Sequence, residues 1–473
     1  MVKAICINHA RLLLRTTESS FFTIKKLRIV KAAWKTSAKF QKKEVLNFFR
    51  QAITTKIKLF LTNLKGPKIL QVNPINMSRK NLNIGLFGFG CVGFGLYEVL
   101  QKTPGLKANI KNICVKNPGK TRQIPSENFT FDPDDLLNDP EINVIVELID
   151  DADAAFEITK RALRSGKAVV SANKKMIAEH FAELLQLQRE NNVPLLYEAA
   201  CCASMPIIRN LEEYYDNDLL ESIQGIVNGS TNYILTKTSR DKLSYEDALK
   251  EAQEKGFAES DPILDTGGFD AKYKLLILLA HSFGHIAKPD EILNIGIDGL
   301  GALELKYASE KGLKIKLVAQ AFKHSDGKIS AFVIPKFVSP EDRLFHVDDV
   351  FNGVVTKTSF ADEQFFVGRG AGAHPTASAV LSDISALTYD YKYEYKKLSR
   401  GENVALTDEL DLNVFLRHEK SDAETLKPYF KNVSESYLNG EAGYITGTIS
   451  FENLKEIQKN TVKKSFVLLE VVS

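Results

Sequence analysis

Tryptophan occurs once in this chain of 473 residues, methionine four times and cysteine five times. The cysteines (Cys6, Cys91, Cys114, Cys201 and Cys202) form an odd set without metal-ligand spacing. That excludes a disulfide framework as the organising device and points to a reducing compartment. No run is long and apolar enough to cross a bilayer, so no membrane span is expected. Acids are nearly missing from the first 76 positions, where twelve Lys and four Arg face only Glu18 and Glu44, a net charge of +14. Because the whole chain carries +3, the remainder carries −11. The body is therefore acidic, only the leader is basic, and the body shows no nucleic-acid footprint. At 44% hydrophobic and 26% charged residues, the composition is that of a soluble globular protein with room for two or three domains.

The leader, residues 1–76, is rich in Lys, Ile and Phe and has no core pattern. Three readings stay open. An organelle transit peptide would be basic and acid-poor, but usually favours Arg and Ser over Lys. A basic amphipathic surface helix fits Phe40–Leu61. The favoured reading is a segment that is disordered or outside the mature protein, with Met77-Ser78-Arg79-Lys80 as a natural start. A cytoplasmic protein is expected unless the leader is a genuine transit peptide.

What is present is organised around FAESDPILDTGGFDAKYKLLILLA, Phe257 to Ala280. It begins acidic, with Glu259, Asp261 and Asp265, passes Gly267 and Gly268, and becomes an apolar run with helical spacing. Asp270 and Lys274 stand four apart across that join, which places them on one helix face. An amine buried beside carboxylates can hold or transfer a proton near neutral pH. An exposed helix ion pair of little energetic weight is the alternative.

Upstream, Leu82–Phe87 reads as a buried strand followed by Gly88-Phe89-Gly90-Cys91-Val92-Gly93 and a helical pattern through Leu100. A Gly-x-Gly-x-x-Gly between strand and helix predicts a dinucleotide site. The first glycine makes the turn, the second admits a pyrophosphate, the third lets helix pack on strand, and the helix N-terminus faces the phosphates. A second strand should end near Ile113-Cys114-Val115, followed by Lys116, Lys120 and Arg122 where an NAD enzyme often has an acid. Cations there suit a 2′-phosphate, so NADP is expected over NAD; a solvated basic loop is the alternative. Asn143–Ile149 and Ala168–Val170 read as further parallel strands, with a helix over 151–165 between them. The second of these strands ends in Ser171-Ala172-Asn173-Lys174, which puts Lys174 at the ligand edge of the sheet, with a plain surface lysine as the alternative. A last strand, Pro194–Tyr197, ends at Glu198.

Taken together, GFGCVG at 88–93, VELI at 146–149, SANK at 171–174, YEA at 197–199, NGSTNYIL at 228–235, the 257–280 stretch and GRGAGAHPTASAV at 368–380 resemble homoserine dehydrogenase from Gly88 to about Asp383. The resemblance implies reversible, NAD(P)-linked oxidation of L-homoserine to L-aspartate 4-semialdehyde in threonine and methionine biosynthesis. It also implies residue roles. Lys274 resembles the proton donor, and Glu259 and Asp270 the substrate-binding carboxylates. Lys174 resembles a lysine shared by nicotinamide and substrate, and Gly256 and Gly370 resemble backbone contacts to the cofactor. Glu198, with the carbonyls of Cys201, Ala203 and Met205, resembles a monovalent-cation (Na+) site. The chain departs from the family pattern at Asp150-Asp151, where Gly-Gly is usual. It departs again at Ala200–Ser204, where glycines are usual, and at Arg369, where Pro is usual.

Asn228–Asn232 reads as a turn with cap-type residues opening a helix, either a plain cap or a substrate-facing hinge. Leu313–Phe322 and Lys328–Ile334 read as sheet strands. His281 and His285 stand four apart without an evident third ligand, so no metal is expected on them. Residues 408–473 alternate strand, helix, strand, strand, helix, strand, which predicts a small ferredoxin-like module resembling an ACT domain, for effector sensing or subunit contact. The expected architecture is α/β: a Rossmann domain over 77–210, an α+β substrate and dimerisation domain over 211–395 with elements returning to the Rossmann domain, and the ACT-like module. A homodimer or homotetramer acting on a small amino-acid substrate is expected. The competing class is a non-catalytic, ligand-sensing Rossmann–ACT protein.

Overall fold

The structure, a computed structural model, describes residues 80–217, 219–400, 404–459 and 465–470. The readings of the leader fall outside the described residues. From Leu82 the chain builds six parallel strands: β1 (Leu82–Phe87), β2 (Ala108–Cys114), β3 (Phe129–Thr130), β4 (Val144–Glu147), β5 (Ala168–Ser171) and β6 (Leu195–Leu196). Their order is β3-β2-β1-β4-β5-β6, the doubly wound arrangement in which the crevice between β1 and β4 receives a ligand. β4 and β6 are buried along their whole length, as their apolar runs require of strands covered on both faces. The helix after β4, Ala152–Arg164, is capped by Asp151, whose carboxylate accepts from Ala154 N at 3.1 Å. One of the two acids standing where glycines are usual thus starts this helix.

A second, mixed sheet carries β7 (Leu220–Ile226), β8 (Leu293–Asn294), β9 (Lys314–Lys323), β10 (Ile329–Val338), β11 (Phe351–Thr358) and β12 (Asp362–Arg369). Their order is β12-β11-β7-β9-β10, with β8 paired to β10. The helix Phe269–Phe283 lies buried from Asp270 to Phe283 except at Tyr273. A helix that is apolar on nearly every side has no solvent face to offer, so Asp270 and Lys274 go into the interior with it. The helix Ala373–Leu387 returns to the nucleotide half and packs against the helix Cys91–Gln101 so closely that a Cβ on Gly95 would lie 2.9 Å from Ala373 O.

The carboxyl end adds β13 (Asp411–Glu419), β14 (Phe430–Asn439), β15 (Ala442–Ser450), the helix Phe451–Lys459 and β16 (Phe466–Leu469). These four antiparallel strands run in the order β16-β13-β15-β14, the predicted split-βαβ arrangement. The helix expected over Asp422–Tyr429 is only Ala423–Leu426, because Pro428 cannot continue it. This sheet joins the preceding one through β10 and β16 (Lys336 paired with Leu469). Phe332 and Ile334 of β10 share a core with Val414, Leu416, Ile445, Phe451 and Val467.

Candidate active site

The glycine turn has the form its spacing predicts. Gly88 sits at φ +92°, and a Cβ there would lie 2.5 Å from Leu148 O; a Cβ on Gly93 would lie 2.4 Å from Gly88 O. At Gly90 nothing stands within 4 Å, so the middle of the turn is open for a ligand to reach backbone. The helix that follows has no side-chain cap, which leaves its first N–H groups facing outward. Phe89 is buried, with its ring edge-on to Phe94, Tyr97 and Phe129. Cys91 is exposed and Val92 half-buried at the helix start. Beyond β2, Lys116 and Lys120 are exposed, while Arg122 lies over the Phe129 ring at 5.1 Å and donates to Asn117 O and Lys120 O. The basic loop is therefore folded beside the nucleotide turn, with Lys116 and Lys120 exposed.

At the carboxyl edge of the parallel sheet the two lysines meet on one carboxylate. Asp270 Oδ2 accepts from Lys274 Nζ at 2.7 Å and from Asn228 Nδ2 at 2.8 Å, and Asp270 Oδ1 lies 3.0 Å from Lys174 Nζ. Lys274 Nζ also donates to Val227 O at 2.6 Å. Burial pushes the Asp270 carboxyl up, but the charges of Lys274 and Lys174 overcome it and hold it well below the usual carboxylate range. The Asp270 charge raises Lys174 against its partial burial. Asn228 also donates to Asp265 Oδ1 at 2.7 Å; burial and then the Asp270 charge raise Asp265. Asn228 is at the same time the helix cap that sequence spacing implied, since its Oδ1 accepts from Thr231 N at 2.8 Å. The cap reading of that motif holds, and the same side chain joins Asp265 to Asp270.

Lys174 is aimed by a second set of bonds. Ser171 Oγ donates to the buried Glu147 at 2.5 Å and accepts from Asn173 N at 3.0 Å, and Asn173 Nδ2 donates to Ile149 O at 3.1 Å. Glu147 also accepts from Ile149 N at 2.7 Å, and burial pushes its carboxyl up to about 7. Glu147 was missed as a site residue; its signal was a lone acid in an otherwise apolar buried strand.

Glu259 is not brought into this cluster. Its side chain is exposed and makes no hydrogen bond or ion pair among the described residues, while its carbonyl accepts from Gln253 Nε2 at 2.9 Å. Gly256, at φ +72°, lies in the same open segment. Gly370 packs on Asn352, and a Cβ there would stand 2.1 Å from Asn352 Oδ1. Arg369 O accepts from Ser204 N and Oγ at 3.2 and 3.0 Å, which joins the 200–205 turn to the late glycine loop. In that turn Cys202 and Ala203 take left-handed φ values of 55° and 40°, so the tight backbone forms without glycine, at a cost of about 1 kcal/mol per residue. Buried Glu198 accepts from Ile208 N and Arg209 N at 2.8 and 2.9 Å. Burial, then the Asp383 charge, raise its carboxyl to about 8.

His281 is bound to Tyr197 Oη and Glu212, and His285 to Val404 O. Among the described residues no group of three or more His, Cys, Asp or Glu side chains is placed to hold a metal, and no helix is long and apolar enough to cross a membrane.

A parallel six-stranded sheet with a glycine turn at its switch point, and lysines meeting on a carboxylate at its carboxyl edge, define a Rossmann-type oxidoreductase using a nicotinamide cofactor. Comparison with known proteins gives the family. The family model for homoserine dehydrogenase matches residues 206–385, and that for the homoserine dehydrogenase NAD-binding domain matches 88–198. The homoserine dehydrogenase of Helicobacter pylori is 39% identical over 65% of this chain and 73% of its own length. The crystal structure of a homoserine dehydrogenase from Thiobacillus denitrificans superposes with a TM-score of 0.74 at 27% identity, over 83% of this chain and 98% of that one. A hyperthermophilic archaeal homoserine dehydrogenase mutant in complex with NADPH superposes with a TM-score of 0.57 at 32% identity, over 66% of this chain and 99% of that one. The chain belongs to the homoserine dehydrogenase family.

Proposed function

We propose that the protein catalyses the reversible oxidation of L-homoserine to L-aspartate 4-semialdehyde with a nicotinamide dinucleotide, NADP in preference to NAD. The observation that carries this is the Lys274–Asp270–Lys174 cluster at the carboxyl edge of the nucleotide-binding sheet. The nicotinamide, when bound, supplies or accepts the hydride. The Gly88–Gly93 turn fits its pyrophosphate, since the open face at Gly90 and the uncapped helix start offer backbone N–H groups.

The chain's own part is proton transfer and positioning. An ammonium has three N–H bonds, and Lys274 commits two of them, to Val227 O and Asp270. The third remains for the substrate oxygen. In reduction it polarises the aldehyde and supplies the proton as the alkoxide forms; in oxidation the amine takes that proton back. Lys174 adds a second positive charge from the cofactor side. Asp270 and, from the open 256–261 segment, Glu259 receive the substrate's ammonium by charge-assisted hydrogen bonds.

Activity should be read by nicotinamide absorbance with L-homoserine, in NADP+ and in NAD+. We expect NADP+ to be favoured about ten-fold in kcat/KM, and Lys116→Glu to remove that preference while sparing the NAD+ rate. A wild-type enzyme that prefers NAD+ would discard the role given to Lys116 and keep the reaction.

Glu198 and the 201–205 turn fit a monovalent cation. A buried carboxylate followed by a left-handed turn that redirects backbone carbonyls gives a set of oxygen donors, the chemistry that suits a hard cation. A raised folded-state pKa contributes stability that is fully present below the unfolded value and is lost as pH rises through about 8. The thermal midpoint in choline chloride should therefore fall between about pH 5 and pH 8.5, and NaCl should restore it more at the alkaline end. Glu198→Gln should abolish the difference between the two salts; a difference that survives would remove the cation from this site. Residues 408–473 fit an ACT-like module by strand order alone.

A further inference from the structure

The segment 294–301 touches two regions that the sequence keeps far apart. At its start, Asn294 Nδ2 donates to Gly267 O at 2.7 Å and Ile297 N donates to Thr266 O at 2.6 Å. A Cβ at Gly296 would stand 2.1 Å from Thr266 O, so the two backbones are in direct contact. Thr266 and Gly267 lie between Asp265 and Asp270, the carboxylates joined by Asn228. At its end, Gly299 O accepts from Arg417 Nη2 at 2.7 Å, and a Cβ at Gly301 would stand 2.2 Å from Arg417 Nη1.

Arg417 comes from β13 in the carboxyl-terminal part, 118 residues from Gly299 in sequence. Its Nε lies 3.2 Å from an oxygen of Glu304, which has no exposed surface. Glu304 in turn accepts from Gly301 N at 3.0 Å, so one guanidinium fixes the far end of the segment by three routes. Gly296, Gly299 and Gly301 leave the segment with little stiffness of its own. The 266–267 backbone and β10 hold its start, with Asn294 paired to Val333 and Ile295 N donating to Val333 O at 2.8 Å. Ile295, Ile297 and Leu300 are buried along it, and Arg417 with the Phe466 ring holds its far end.

We propose that Arg417 is a positioning residue for the reaction: acting through 294–301, it fixes the backbone of 265–270 and hence the direction in which Asp265 and Asp270 face Asn228, Lys174 and Lys274. This rests on the roles given above to Asp270 and Lys274. It makes the carboxyl-terminal part a working support of the site, whether or not that part binds an effector. Shifts well under a helical turn are enough to matter, since a misplacement of about 1 Å far from the chemistry can cost about 10²-fold in rate.

The test uses the full chain. Removing Arg417 alone would leave Glu304 buried without a partner, so the informative change removes both, Arg417→Met with Glu304→Leu, a replacement often near neutral for stability. A second variant, Gly301→Ala, displaces the guanidinium by contact and keeps both charges. Each should lose about ten-fold in kcat/KM for L-homoserine with the KM for NADP+ within about two-fold of wild type. The double variant should keep the wild-type thermal midpoint, and Gly301→Ala, which pushes the guanidinium off buried Glu304, should lower it. Should both fail to fold, Arg417→Lys keeps a charge beside Glu304 and loses the bond to Gly299, and the same split is expected. A folded variant with wild-type kcat/KM overturns the proposal. So does a loss shared equally by nucleotide and amino acid and matched by a lower midpoint, which would mark Arg417 as merely structural. Lys274→Ala run alongside separates the two readings: if that variant remains active, the site assignment has failed, not the positioning.

Discussion

Lys274→Ala should lower turnover with L-homoserine by about 10³-fold while leaving the dissociation constant for NADP+ within about two-fold. The reason lies in what Lys274 touches. Its Nζ is held by Val227 O and Asp270, and by nothing in the Gly88–Gly93 turn. Removing it withdraws the proton and the positive charge from the reacting oxygen and leaves pyrophosphate binding intact. Stability should fall by about 1–3 kcal/mol and the protein should still fold, because Asp270 keeps Lys174 and Asn228 as partners and only Val227 O is orphaned. Lys274→Arg should be nearly as inactive, since a guanidinium stays protonated and cannot take the proton back in the oxidation direction. Stopped turnover with retained nucleotide binding, measured on a folded variant, is the expected pattern. A variant with near-normal rate would falsify the assignment outright.

How much of this could be read without coordinates depends on how local each feature is. The nucleotide turn was legible because its strand, its glycines and its helix lie within 20 residues, and each glycine has a separate steric duty. The Asp270–Lys274 pairing was legible from a spacing of four. Its burial was legible only in the apolar run that follows, which leaves the helix no wet face. Lys174 was placed at the edge of the sheet by the sheet rule, but its convergence on Asp270 joins the starts of two helices across 96 residues, and no periodicity encodes that. Asp265 stood in the organising stretch without a role until Asn228 linked it to Asp270. Glu259 was given a place by resemblance, and the structure leaves it exposed and bonded to none of the cluster. The carboxyl-terminal strand order was legible from alternation. Its continuity with β10 was not, because one parallel pairing across 133 residues leaves no local trace.

Asp270→Asn should damage stability more than Lys274→Ala does, and should cost rate as well. Asp270 is the only carboxylate within bonding distance of both lysines among the described residues, and Asn would leave two ammoniums facing one another over a neutral amide. Leaving buried charge without its counter-ion costs about 3–5 kcal/mol, which should appear as a lower urea midpoint at neutral pH. The pH dependence fixes the sign. A carboxyl held below its usual range contributes stability that is present above its unfolded pKa and lost as pH falls through the folded value. The wild-type chain should therefore lose this contribution only in strong acid, and the difference between wild type and Asp270→Asn should narrow there. The rate should respond at the other end of the scale. The Asp270 charge raises Lys174, so without it that amine gives up its proton at lower pH, and the alkaline limb of the kcat profile should move toward neutrality. Turnover at neutral pH should fall by at least about 10²-fold, since Asn cannot orient Lys274 as a carboxylate does. An Asp270→Asn enzyme with the wild-type alkaline limb would mean that the two lysines do not share this anion during the reaction. The cluster would then be a structural ion pair beside the site, and the proton would have to come from another group.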